Sequence, residues 1–129
     1  MSKLKIKDYI PVRNIKTTMV APVANNLITK REDPQIELET KLMTALTRGP
    51  VTAAIDAMSP FFAYYESGIL SDLWCSNDQL NHAVLVVGYD EDSWILKNSW
   101  GTSWGEKGFV RLSRDTPCGL TLSMHQPTL

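Results

Sequence analysis

Apolar positions Ile36, Leu38, Leu42, Ala45 and Leu46 recur at roughly helical spacing between Asp33 and Gly49. Asp33 can cap the first free N–H groups, Pro34 fits the first helical position, and Glu37 and Glu39 favour the positive end of the dipole. Gly49-Pro50 then stops the run. This predicts one main helix packed on a sheet. Val51 to Ala57 (VTAAIDA) reads as a strand. Ser59-Pro60 opens a single helical turn through Phe61, Phe62, Tyr64 and Tyr65 that Gly68 closes, an aromatic stripe whose plain reading is core packing. After the turn at Ser76-Asn77-Asp78 come three more strands, Ala83 to Tyr89, Ser93 to Lys97 and Gly108 to Leu112. The link Asp90-Glu91-Asp92 is of hairpin length, so an antiparallel meander is the economical topology. One helix followed by antiparallel strands is an α+β arrangement.

The ends of the chain are less regular. Residues 1–12 alternate loosely, and Pro11 ends that run as an edge strand or an extended lead-in. From Asn14 to Asp33 the pattern dissolves into Thr17, Thr18, Pro22, Asn25, Asn26 and the Lys30-Arg31-Glu32 cluster, which reads as a long surface loop. No repeat or low-complexity tract interrupts the chain, and 129 residues with 43% hydrophobic content suit a single domain spanning 1–129. A net charge of −1 with interspersed signs gives no nucleic-acid footprint. Lys3, Lys5 and Lys7 have no apolar run behind them, so neither a signal peptide nor a membrane span is expected in this chain. The two cysteines, Cys75 and Cys118, are compatible with one disulfide or with two buried thiols.

Candidate chemistry starts with the two histidines, His82 and His125. His82 lies where the Asn77–Asn81 turn runs into an apolar strand, a place from which an imidazole can face a cleft. A structural and a catalytic role are both open for it at this point. The hairpin AVLVVGYDEDSWILK returns the chain so that Asn98 arrives near His82. An Asn oxygen can accept the ring N–H, fix the tautomer and leave the other nitrogen free to take a proton from a thiol. Each cysteine also precedes a histidine by seven residues, and two Cys with two His is a zinc stoichiometry. The spacing is that of no usual finger, and no metal or other cofactor is expected.

The stretch Leu80 to Gly108, LNHAVLVVGYDEDSWILKNSWGTSWGEKG, strongly resembles the C-terminal active-site region of papain-like cysteine peptidases, the family of the cathepsins. The likeness extends through GPVTAAIDA, FFAYYESGIL and CGL over about residues 36–127, and more thinly to KDYIPV. The resemblance implies a papain-like right-hand domain, an antiparallel, barrel-like sheet with one main helix and a short aromatic helix. It implies His82 as general base and Asn98 as the residue that orients it, with Trp100 shielding their hydrogen bond and Trp104 walling the leaving-group side. Ala54, Ala83 and Ser123 fall where the family lines a substrate pocket, and small residues there suit a bulky apolar side chain. Cys75 and Cys118 fall on the positions of a family disulfide. Asn14 to Asp33 is longer than the family's usual crossing and reads as an insertion at about 14–33.

The family nucleophile, a cysteine in a CGSCW-like context with a glutamine upstream for the oxyanion, is not among these residues. Cys75 precedes a turn rather than opening an apolar helix, so no helix dipole lowers its pKa. The resemblance therefore implies part of a peptidase that hydrolyses peptides only with a second polypeptide carrying the Cys-bearing half, and no activity from this chain alone. The alternative is a non-catalytic binding or structural subunit. An uncovered apolar face makes such a partner, or a self-associated dimer, the physical expectation. Location by the same resemblance is lysosomal, vacuolar or secreted.

Overall fold

The computed structural model describes residues 9–11 and 34–127. The insertion expected at about 14–33 and the proposed Asp33 cap lie outside them. Helix α1 (Pro34–Leu46) begins at the proline, carries Glu37 in its first turn, and buries Leu42 and Ala45 fully. Its C-terminal end is tied to the far side of the domain. The buried side chain of Gln126 donates to Ala45 O in the last turn at 2.6 Å, beside the Arg48 N–H bond, and to Gly49 O just past the helix at 3.1 Å.

The described residues form seven strands, one before the helix and six after it: β1 (Tyr9–Pro11), β2 (Val51–Ile55), β3 (Ile69–Leu70), β4 (His82–Tyr89), β5 (Ser93–Lys97), β6 (Phe109–Ser113) and β7 (Met124–Pro127). Their order in the sheet is β1-β7-β2-β4-β5-β6-β3. The expected β4-β5-β6 meander is antiparallel throughout. The fold is α+β as expected. The sheet is open rather than a closed barrel, with β1 and β3 at its edges, and the β3–β6 pair is parallel. Pro11 ends the edge strand, opposite His125 of β7, the kind of position to which proline is confined in a sheet.

Alternation decides which face is covered. Val51, Ala53 and Ile55 of β2 stand opposite Val86, Val84 and His82 of β4. The first five of these are buried, joining Trp94, Leu96, Val110, Leu112, Leu120 and Met124 in one core with Leu42 and Ala45 of α1. Each fully buried Leu or Val contributes about 1.5–3 kcal/mol relative to exposure. The intervening positions, Ala54 opposite Ala83 and Thr52 opposite Leu85, lie on the other face, where Ala83 is exposed. Helix α2 (Pro60–Ala63) is the single aromatic turn, with Ser59 Oγ accepting from Phe61 N at 3.0 Å as its cap. Its stripe divides: Phe62 and Tyr65 are core, whereas Phe61 and Tyr64 are exposed.

Candidate active site

His82 is the first residue of β4 and is half-buried. The β4–β5 hairpin is closed by Asp90, whose carboxylate accepts from Asp92 N, Ser93 N and Ser93 Oγ, chiefly the Asp92 amide; these bonds hold its pKa below the ordinary carboxylate range. With Leu85 paired to Lys97, the next residue, Asn98, reaches back to His82. His82 Nε2 and Asn98 Oδ1 are 2.7 Å apart. Asn98 Oδ1 also accepts from Ser99 N at 2.9 Å, which identifies that atom as the oxygen and therefore puts the imidazole proton on Nε2. Nδ1 is left as the acceptor nitrogen. Asn98 itself is 5% exposed, so the bond is made away from bulk water.

Aromatic rings enclose this pair. The Trp100 ring lies 5.0 Å from His82, tilted by 39°, and Phe62 stands edge-on to both at 5.8 and 5.4 Å. Trp104 packs on Phe62 at 5.0 Å and edge-on to Trp100 at 5.4 Å. Its Nε1 donates to Phe62 O and Ala63 O, so the indole is pinned to the α2 turn. The loop carrying both tryptophans is closed by Asn98 N to Gly108 O at 2.9 Å and Gly108 N to Trp104 O at 2.8 Å. Gly105 sits at φ 61°, and a Cβ there would meet Phe109 O at 2.6 Å.

A second anchor binds that loop to the α2–β3 segment. Glu106 takes Arg111 Nε and Nη2 at 2.9 and 2.8 Å and Gly68 N at 3.0 Å. The Arg111 hydrogen bond, then the Gly68 amide, draw the Glu106 carboxyl from an ordinary 4.5 to about 2. Tyr65 OH closes the ring by donating to Gly68 O at 2.6 Å, and burial pushes its phenol pKa up.

The pocket candidates also come together. Ala54 pairs with Ala83 across β2 and β4, and Ala54 N donates to Ser123 O at 3.3 Å. Beside them is a shallow, open depression lined by Ala83, Leu85, Lys97 and Asn98. Cys75 and Cys118 form a disulfide with Cα atoms 5.3 Å apart, so neither sulfur is a free thiol or a thiolate ligand. The zinc arrangement fails for that reason. His125 lies on β7 opposite Thr52, apart from the His82 pair in the sheet order.

Two residues escaped the sequence reading. Asp56, 7% exposed at the end of β2, accepts from Asn81 Nδ2 at 2.7 Å, Met58 N at 3.1 Å and Ser76 N at 2.8 Å. Asn81 immediately precedes His82, which was a usable signal. Asp56 inside VTAAIDA had none beyond being a charge at a strand's end.

A family model described as papain family cysteine protease matches residues 12–128. Cathepsin K of Gallus gallus is 45% identical over 97 residues, covering 70% of this chain and 29% of its own length. Procathepsin L of Felis catus is 42% identical over 102 residues, covering 70% of this chain and 31% of its own. The chain thus spans about a third of the length of these curated relatives. Among solved structures, a cysteine protease of Carica candamarcensis in complex with E-64 superposes with a TM-score of 0.65 at 35% identity, covering 70% of this chain and 44% of that one.

Proposed function

Since this chain belongs to the papain family of cysteine proteases, we propose that it forms the His/Asn side of a peptide-hydrolysing site whose thiol comes from outside these 129 residues. The observation that carries this reading is the 2.7 Å bond between His82 Nε2 and Asn98 Oδ1, with both cysteines of the chain committed to a disulfide. The Cys-bearing half is either a further segment of a longer polypeptide or a second chain; a second copy of this domain brings no free thiol, so a dimer serves only to cover its apolar face.

In this reading Nδ1 of His82 takes the proton of the incoming thiol, and the thiolate attacks the substrate carbonyl carbon to give a thioester. The imidazolium returns its proton to the leaving amine. Water, deprotonated by the same nitrogen, then releases the acid product and restores the thiol. Asn98 holds the ring throughout, and Trp100 and Phe62 keep water from the bond that orients it. Trp104 walls the leaving-group side, and Ala54, Ala83 and Ser123 border the site for a bulky apolar substrate side chain.

The test is native mass spectrometry of the protein from its own source after treatment with an epoxide probe for cysteine-peptidase thiols. The expected result is a label on a cysteine other than Cys75 and Cys118, lost when His82 is replaced by alanine. No labelled thiol in any species containing this domain refutes the catalytic reading. The competing reading, a non-catalytic binding or structural subunit, draws on the disulfide's use of both sulfurs; it requires the His82→Ala protein to keep its function.

A further inference from the structure

We infer that Asp56 is a positioning residue for His82, acting through Asn81; this rests on His82 being the base in the reading above. His82 lies at the junction of β4 with the 76–81 turn, opposite Ile55. Its ring is held from one side by Asn98. From the other side, the position of its Cα depends on the residue before it, and Asn81 is tied down at three points. Asn81 N donates to Ile55 O at 3.0 Å, its Oδ1 accepts from Ala57 N at 2.8 Å, and its Nδ2 donates to Asp56 Oδ1 at 2.7 Å.

The Asp56 carboxylate gathers three separate pieces of chain. Oδ1 receives Asn81 and Met58 N, while Oδ2 receives Ser76 N at the far end of the same turn. Its own backbone N–H is fixed to Cys118 O at 2.9 Å, next to the disulfide. The acceptor is therefore immobile, and the turn is fastened to it at both ends, residues 76 and 81. Burial opposes charge on this carboxyl, yet the bonds from Asn81, Ser76 and Met58 outweigh it and hold its pKa below the ordinary range. Without the carboxylate, the turn keeps backbone attachments at Asn81, but Ser76 N and Asn81 Nδ2 lose their common acceptor. The start of β4 then gains freedom, and the Nε2 to Asn98 bond is sampled less.

The experiment reads the ring itself, in the absence of any thiol. In the ¹⁵N-labelled chain, long-range ¹⁵N shifts report the His82 tautomer and solvent exchange of the Nε2 proton reports its hydrogen bond. Wild type is expected to show a single Nε2–H tautomer. D56A is expected to raise Nε2–H exchange about tenfold, the loss of one hydrogen bond to a charged group being of that order. D56N keeps one acceptor oxygen and should fall between the two. The swap D56N/N81D restores the side-chain contact with its polarity reversed, and should recover much of the lost protection.

A role confined to fold stability lowers the urea midpoint of these variants and leaves the His82 ring signals unmoved; that result overturns the inference. So does a swap no better than either single change. Should D56A fail to fold, D56N and the swap still give the comparison. Because no thiol is needed, failure to label a cysteine sinks the peptidase reading alone, and unmoved ring signals sink the Asp56 role alone.

Discussion

Reducing the Cys75–Cys118 disulfide is the perturbation whose size follows most directly from the fold. The bond closes 43 residues of separation, and that span contains β4, β5 and β6 with the whole His82/Asn98/Trp100 assembly. In the chain-entropy picture a loop of this length, left open in the unfolded state, returns about 13 cal/mol/K, or about 4 kcal/mol at 25 °C. Domains of this size are stable by only about 5–15 kcal/mol in total. Substituting both cysteines by alanine adds little strain, because Cys118 is 2% exposed and a slightly smaller apolar group fits the same space. Urea unfolding followed by tryptophan fluorescence should therefore show the double alanine variant weaker by about 4 kcal/mol. The reduced wild type should match it. A loss below about 1 kcal/mol in both refutes the entropic account and means that the unfolded chain keeps residues 75 and 118 close by other contacts.

Two further outcomes test the loop that carries the tryptophans. The Glu106 carboxyl is lowered to about 2 in the folded chain, chiefly by Arg111 and then by Gly68 N, so its stabilising contribution is complete above the ordinary 4.5 and is lost as pH falls from there toward 2. The stability gap between wild type and E106Q should be widest near neutral pH and close across that window in acid unfolding curves; a gap independent of pH contradicts the assignment. Gly105→Ala forces a Cβ toward Phe109 O at φ 61° and should cost about 2 kcal/mol or more in thermal unfolding, with a shifted Trp104 emission; a silent substitution would show that the turn has room to relax.

How far the sequence revealed all this depended on whether the information was local. Helix α1 is written in Pro34, Gly49-Pro50 and the spacing of Leu42 and Ala45, all of which act within a few residues. The β4–β5 hairpin is written in the Asp90-Glu91-Asp92 link, and hairpin register alone carries Asn98 to His82. By contrast β7, the segment MHQP, has no β-branched residue and alternates too briefly to stand out. It becomes a strand because β2 and β1 flank it and because Gln126 reaches carbonyls at the helix end and just beyond it, Ala45 O and Gly49 O. The two-residue strand β3 likewise exists only through its parallel partner β6. Within the aromatic stripe, Phe62 and Tyr65 are core as expected, but nothing local separates them from exposed Phe61 and Tyr64. Asp56 was the least legible of all, since its partners come from residues 58, 76 and 81.

The same division between local and distant determinants bears on the chemistry. A general base needs one protonation state at one nitrogen; for His82, the base of the proposed function, that choice is made by an oxygen with two donors, His82 Nε2 and Ser99 N. Rotating the Asn98 amide to offer its nitrogen instead would set that NH2 group against the Ser99 backbone N–H, which can only donate, leaving a buried clash of donors. The tautomer is thus settled by residues 82, 98 and 99, before any thiol or substrate is near. An arriving cysteine of ordinary pKa, about 8.5, meets a preset acceptor nitrogen and has only to be placed within reach of it. In the function proposed above, the hairpin within this chain sets the acceptor nitrogen, and the demand on the thiol-bearing half is one of position.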